Sequence, residues 1–165
     1  MDEEFIAFHE AGHAVIGYRF HLLGDHVTIN PDLDEGSLGH CQQEYCDYSP
    51  ELARQQIISL YAGDAAIKRR FPDYTGYSGA EGDFESATDL LRYTDGSTES
   101  ELHSQTDSLI EGNWPHICAV AEELVKAKTL NYEEYGLIID DLDEGRNWKE
   151  DLKKYRMAMF MFKTQ

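Results

Sequence analysis

Basic residues are scarce in this chain of 165 residues: 14 Lys and Arg stand against 32 Asp and Glu, a formal net charge of −18. A field of that sign repels phosphates and anionic headgroups, which excludes non-specific binding to nucleic acid or to an acidic membrane. Cysteine is also scarce, and Cys41, Cys46 and Cys118 are an odd number without the spacing of a disulfide framework. No apolar run approaches the ~18 residues of a membrane span, and there is no basic-then-apolar leader. A cytoplasmic protein is expected. Proline is limited to 4 residues and glycine to 13, with 41% hydrophobic residues, so the chain is neither disordered nor of low complexity. No internal repeat and no dividing linker is present. A G-x-x-x-x-G-K phosphate loop is also lacking, so no ATP-driven motor is encoded in these residues.

What is present is helical. Asp2 to about Phe20 reads as a helix whose acidic first turn suits the positive end of its dipole. Phe8, Ala11, Val15 and Tyr18 form its apolar stripe. Val27 and Ile29 alternate with polar neighbours, NPDLDEGS turns the chain, and Leu38 to Cys41 can return as the second strand of a hairpin. A longer helix then runs through SPELARQQIISLYAGDAAIKRRF, with Ser49 as N-cap and Pro50 at its first position. Gly63 inside it points to close packing against another element. Further helices are expected from about Asp83 to Tyr93, from near Glu99, from Pro115 to about Lys128, and from the Asn131/Glu134 capping pair to about Asp141. NWKEDLKKYRMAMFMF reads as a last amphipathic helix, and its Met-Phe run 157–162 as a docking or self-association face. The fold class is mainly α (α+β) with one small β-hairpin. One domain covers residues 1–145, and the tail helix at 146–165 packs on it.

The chemistry concentrates in FHEAGHAVIG, residues 8–17. Residues i and i+4 of a helix share a face with Cβ atoms about 5–6 Å apart, so the imidazoles of His9 and His13 can reach one metal ion. Glu10 lies about 100° round from His9, where it can face a water rather than join the ligands. Zinc hydrolysis needs three protein ligands, an exchangeable water and a carboxylate that takes its proton. The bland reading makes His9 and His13 hydrogen-bonded core residues and leaves Glu10 solvated. Small Ala11 and Gly12 let other structure approach the histidine face. Two histidines and a glutamate in an otherwise apolar helix are costly unless something satisfies them. Both details favour a metal.

A third ligand must come from elsewhere, and Asp64, Asp73, Glu81, Asp83, Glu85 and Asp89 are candidates. Asp83 shares a helix face with Ala87, Leu90 and Leu91, the face that must turn inward. Glu85 shares its face with Asp89 and Arg92, a solvated charge stripe. Asp83 is the choice. His26, His40, Cys41 and Cys46 offer a competing cluster, but Cys-x4-Cys lacks the tight spacing of structural zinc sites and no second pair follows.

In this order, FHEAGHAVIGY, HVTINP with LGH, LYAGDAAIKRRF, SGAEGDFESATDLLR and NWPHICAVAEELVKAKTLNYEE resemble the peptidase domain of FtsH-type AAA zinc metalloproteases, over roughly residues 4–140. The resemblance implies a zincin-like, mainly helical fold, with His9, His13 and Asp83 as zinc ligands and Glu10 as catalytic base. It departs from the family at Asp64, where arginine is usual, at Ile67 and Lys68, where acids are favoured, and at Gly82, where asparagine is common. The expectation is a zinc metallopeptidase over residues 1–145 that acts, without ATP, on short or unfolded polypeptides bound along the hairpin edge. A homo-oligomer or a separate delivery partner is compatible with it. The alternatives are a catalytically silent zinc-binding interaction module and a metal-free helical domain.

Overall fold

Ala7, Ala11, Gly12 and Gly17 make the first helix thin, and a thin helix can be packed on several sides. The computed structural model describes residues 3–22, 24–30, 49–75 and 80–163. In it helix α1 (Glu3–Arg19) lies against α2 (Pro50–Arg70) and α5 (Trp114–Ala127). Its burial is therefore wider than one stripe. Phe5, Phe8, Ala11, Val15 and Ile16 are buried, and so are His9 and Glu10. At the α1–α2 crossing, a Cβ added to Gly12 would stand 2.5 Å from the Ala62 carbonyl oxygen. The two backbones meet there only because residue 12 has no side chain.

The remaining elements extend this pair. Helix α3 (Glu81–Leu90) is followed by a 3-10 turn (Leu91–Tyr93), then α4 (Glu99–Gly112), and both helices pack on α2. Helix α6 (Tyr132–Asp143) packs on α5, and α7 (Trp148–Lys163) on α6. Strand β1 (His26–Thr28) pairs antiparallel with β2 (Thr129–Asn131), with Val27 opposite Leu130, and both of these side chains are buried. The architecture is mainly α with a small two-stranded sheet. The return strand expected at Leu38–Cys41 lies outside the described residues; the partner that β1 has among them comes from the far end of α5. The core joins Val15, Ile16, Ile57, Ile67, Leu124, Ile138 and Ile139, all at most 2% exposed, and each such side chain contributes about 1.5–3 kcal/mol.

Local signals act where the residue types place them. Ser49 Oγ accepts from the Leu52 amide at 3.1 Å with Pro50 at the helix start. Asn131 and Glu134 form a reciprocal capping box at the head of α6, as do Thr98 and Glu101 at the head of α4. Helix α3 ends at Leu90 rather than Tyr93, because the chain tightens into the 3-10 turn there. Exposed pairs clamp the start of α1 to its neighbours, Glu4 with Arg70 at 2.6 Å and Glu3 with Lys128 at 2.7 Å. At its other end Arg19 donates to Asn113 at 2.8 Å and to Asp143 at 2.9 Å. Among the described residues, no helix is long and apolar enough to cross a membrane.

Candidate metal centre

Three polar side chains, two from α1 and one from α3, meet at one point. His9 and His13 project one turn apart from α1, and the imidazole rings stand edge to face with centroids 4.7 Å apart. Their Nε2 atoms are 3.1 Å from each other. Asp83 reaches them from the first turn of α3, with Oδ2 3.3 Å from His9 Nε2 and 3.3 Å from His13 Nε2. The inward face expected for Asp83 is the observed one: Ala87 is buried, whereas Glu85, Asp89 and Arg92 are exposed. The other carboxylates considered stay outside this cluster, and His40, Cys41 and Cys46 lie outside the described residues. His9, His13 and Asp83 are the one group of three among the described residues whose donor atoms could share a metal ion.

The geometry suits a small tetrahedral cation. Two imidazole nitrogens and a carboxylate oxygen are a common donor set for zinc, and bonds of about 2.0–2.1 Å at a tetrahedral angle set neighbouring donors about 3.3–3.4 Å apart. The observed edges of 3.1, 3.3 and 3.3 Å are close to that. The supporting contacts orient the donors. His13 Nδ1–H donates to the Ser59 carbonyl oxygen at 2.7 Å, which turns the Nε2 edge of the ring toward Asp83. His9 Nδ1 is buried without a hydrogen-bond partner.

The space around the rings is made by Gly63 of α2. A Cβ there would stand 2.5 Å from His13 Nε2, 2.7 Å from His9 Cε1 and 2.8 Å from His9 Nδ1. The sequence signalled close packing at Gly63 but not what it packs on. Ser59 acts through a carbonyl that any residue type would carry, so no sequence signal could have found it. Next to Gly63, buried Asp64 pairs with Lys68 at 2.6 Å. Two of the departures from the FtsH pattern thus neutralise each other one turn apart, away from the triad.

Electrostatically the cluster is a small pool of opposite charges. Burial opposes charge on His13, yet its hydrogen bond to Asp83, with the charges of Asp83 and Glu10, carries its pKa up to about 9. Burial likewise pushes the Asp83 carboxyl up, but hydrogen bonds from His13 and His9 outweigh it and leave the group well below the usual carboxylate range. Glu10 behaves oppositely. Burial raises its pKa above 4.5, His13 and His9 pull it back only in part, and Asp83 adds to the rise. Its Oε2 is buried with no hydrogen-bond partner. A buried carboxylate with a raised pKa beside a two-histidine, one-aspartate cluster can take up and release a proton.

No protein-family model matches the chain. Curated relatives do match it. The ATP-dependent zinc metalloprotease FtsH of Acholeplasma laidlawii is 36% identical over 95 residues, 55% of this chain and 14% of that protein. FtsH of Thermus thermophilus is 37% identical over 94 residues, again 55% of this chain and 15% of the relative. FtsH of Ralstonia pickettii is 33% identical over 97 residues, with 55% and 13% covered. The matched region is FtsH-related. The chain spans about 14% of the length of these curated relatives, so the activity of the whole FtsH protein does not transfer with the similarity.

Proposed function

We propose that this chain is a zinc-dependent metallopeptidase that hydrolyses peptide bonds in short or unfolded polypeptides and uses no ATP. The observation that carries the reading is the near-equilateral triangle of His9 Nε2, His13 Nε2 and Asp83 Oδ2, with the buried carboxylate of Glu10 interacting with all three residues. The zinc metalloprotease names of the FtsH relatives support it.

In this reading His9 and His13 hold zinc through Nε2 and Asp83 holds it through Oδ2. Zinc in such a site supplies Lewis acidity, toward a substrate carbonyl and toward water. The rest is done by the protein. Ser59 fixes the His13 tautomer so that Nε2 stays unprotonated when it ligates. The Asp83 carboxylate balances part of the positive charge gathered at the site. Glu10 takes the proton of the attacking water on a carboxylate oxygen and passes it to the nitrogen of the departing amine. Its Oε2 is buried and makes no hydrogen bond, so that oxygen is available to accept the proton. A proton shuttle has no place in a purely structural metal site, so Glu10 in its buried position favours turnover over a silent binding module.

The phosphate loop is absent from the sequence, so unfolding of a stable substrate is not supplied by these residues. For these residues acting alone, the substrates are polypeptides that are already extended or that a separate partner delivers. Elemental analysis of the purified protein, together with a fluorogenic peptide library, tests the reading. About one zinc per chain and cleavage that stops on chelation are expected. Zinc present with no peptide cleaved would hand the site to the silent interaction module. No metal taken up at all would leave a helical domain with two core histidines.

A further inference from the structure

Helix α3 carries Asp83 to the histidines, yet little in its own sequence fixes where it lies. It has 10 residues, short of the ~12–15 that an isolated helix needs to hold together in water. Its N-cap, Ala80, offers no side-chain hydrogen bond to the first turn. Gly82 in that turn has nothing within 4 Å of an added Cβ. Ala80 and Ala87 are buried, but a methyl group sets the depth of a helix and hardly resists its rotation. Leu90 packs on the core only at the far end. Among the described residues, the polar side-chain contacts from α3 to another element are those of Asp83 with His9 and His13. Phe84 supplies what the others lack. Its ring lies 5.6 Å from that of Tyr61 on α2 and 6.1 Å from the imidazole of His103 on α4, centroid to centroid. Tyr61 and His103 are themselves stacked, 3.9 Å apart at 11°, and Tyr61 is buried in the core. The platform under Phe84 therefore belongs to two other helices.

We infer that Phe84 is a positioning residue of the metal centre: its ring, set on the Tyr61–His103 platform, fixes the rotation of α3 that points the Asp83 carboxylate at His9 and His13. The inference rests on the metal-binding part of the function proposed above. Consecutive helical side chains diverge by about 100°, so Asp83 and Phe84 leave α3 in two directions. One reaches the histidines of α1, the other the rings of α2 and α4. Two such contacts side by side hold a rotation that neither holds alone. The tolerance is narrow. Asp83 Oδ2 stands 3.3 Å from each Nε2, and metal–ligand distances vary by only about 0.2 Å. A roll of about 10° carries an atom about 5–6 Å from the helix axis through roughly 1 Å, enough to withdraw the carboxylate. Phe84 has no donor atom, so its effect on the metal passes through Asp83.

The test is cobalt(II) titration of the whole chain, read by the visible absorption of the bound ion, with Phe84→Ala, Phe84→Leu, Phe84→Tyr and Leu109→Ala beside the wild type. Four-coordinate cobalt absorbs strongly, and the band weakens and shifts when solvent ligands take the place of a carboxylate. Phe84→Ala is expected to bind about 10–100-fold more weakly, the loss typical of a removed orienting contact, with the weakened band at saturation. Phe84→Leu should change the band in the same sense to a smaller degree, and it decides the matter if alanine unfolds the chain. Phe84→Tyr keeps the ring and should restore both affinity and band. Leu109→Ala removes a partly buried side chain beside Phe20 and Ile58, so it lowers stability and should leave the band unchanged. Wild-type affinity and band in Phe84→Ala, or in Phe84→Leu where alanine unfolds the chain, overturn the inference. So does Phe84→Tyr behaving like alanine, or Leu109→Ala changing the band as Phe84→Ala does, which would reduce the effect to general stability. A wild type that binds no cobalt overturns it together with the metal centre. Peptide cleavage plays no part in the readout, so a chain that holds metal and cleaves nothing would refute the peptidase reading alone.

Discussion

Replacing Gly63 with alanine inserts a methyl group between the rings of His9 and His13 while leaving every proposed ligand in place. The inserted carbon would stand 2.5 Å from His13 Nε2 and 2.7 Å from His9 Cε1, where ordinary contact begins at 3.4 Å. The rings must therefore retreat by nearly 1 Å, whereas zinc–ligand distances tolerate only about 0.2 Å. Loss of ring positioning of this kind lowers metal affinity by about 10–100-fold, equivalent to roughly 1.4–2.8 kcal/mol. Stability of the metal-free protein should change less. Overpacking costs about 1–3 kcal/mol, but alanine in the middle of α2 recovers up to about 1 kcal/mol of helix propensity. With a shift of about 2–4 °C per kcal/mol for a chain of this size, the metal-free melting temperature should fall by no more than about 8 °C. Gly112→Ala is the control, since nothing lies within 4 Å of a Cβ there. Zinc competition against a chromophoric chelator reads the result. Wild-type zinc affinity in Gly63→Ala would refute the claim that the rings must stay where they are to bind metal.

The other predictions concern the same cluster. Asp83→Ala is expected to lose zinc binding and activity, while Glu85→Ala, exposed beside Asp89 and Arg92, keeps both; normal zinc titration of Asp83→Ala would move the third ligand elsewhere. His13 must shed its proton to ligate, so zinc affinity should rise with pH from about 6.5 to about 9. The metal-free protein should do the reverse. The raised His13 pKa contributes stability fully present below 6.5 and lost as pH climbs through about 9, so its melting temperature should drop across that interval, and a flat thermal profile would contradict the ion pair. Lys68→Ala removes the partner of buried Asp64 from a position 70% exposed. It should destabilise the fold by about 1–3 kcal/mol by stranding the carboxylate and leave zinc stoichiometry unchanged, both readable from denaturation and elemental analysis.

Much of this arrangement was legible because the signals are local. His9 and His13 are one helical turn apart, and Asp83 lies on the face of its helix that carries Ala87, so spacing alone pointed to residues that the fold brings together. Ser49, Asn131 and Glu134 act on amides within three residues, which is why those helix starts could be read. What could not be read is what depends on distant chain. Val27 finds Leu130 across about a hundred residues, and a three-residue strand holds nothing that names its partner. The return strand expected at Leu38–Cys41 lies outside the described residues. Gly63 announced a close approach, but only the crossing of α1 and α2 shows that histidine rings fill it. The Ser59 carbonyl is invisible to any reading by residue type.

The central claim is that Glu10 moves the proton in peptide hydrolysis at this site. The most direct measurement is the cleavage rate of fluorescein-labelled, unfolded casein by zinc-loaded wild type and zinc-loaded Glu10→Gln. Glutamine keeps the size of the side chain and removes the base, so the account predicts a fall of about 10²–10⁴-fold with one zinc retained per chain. Equal rates in the two proteins, or a zinc-loaded wild type that leaves the casein intact, would contradict it.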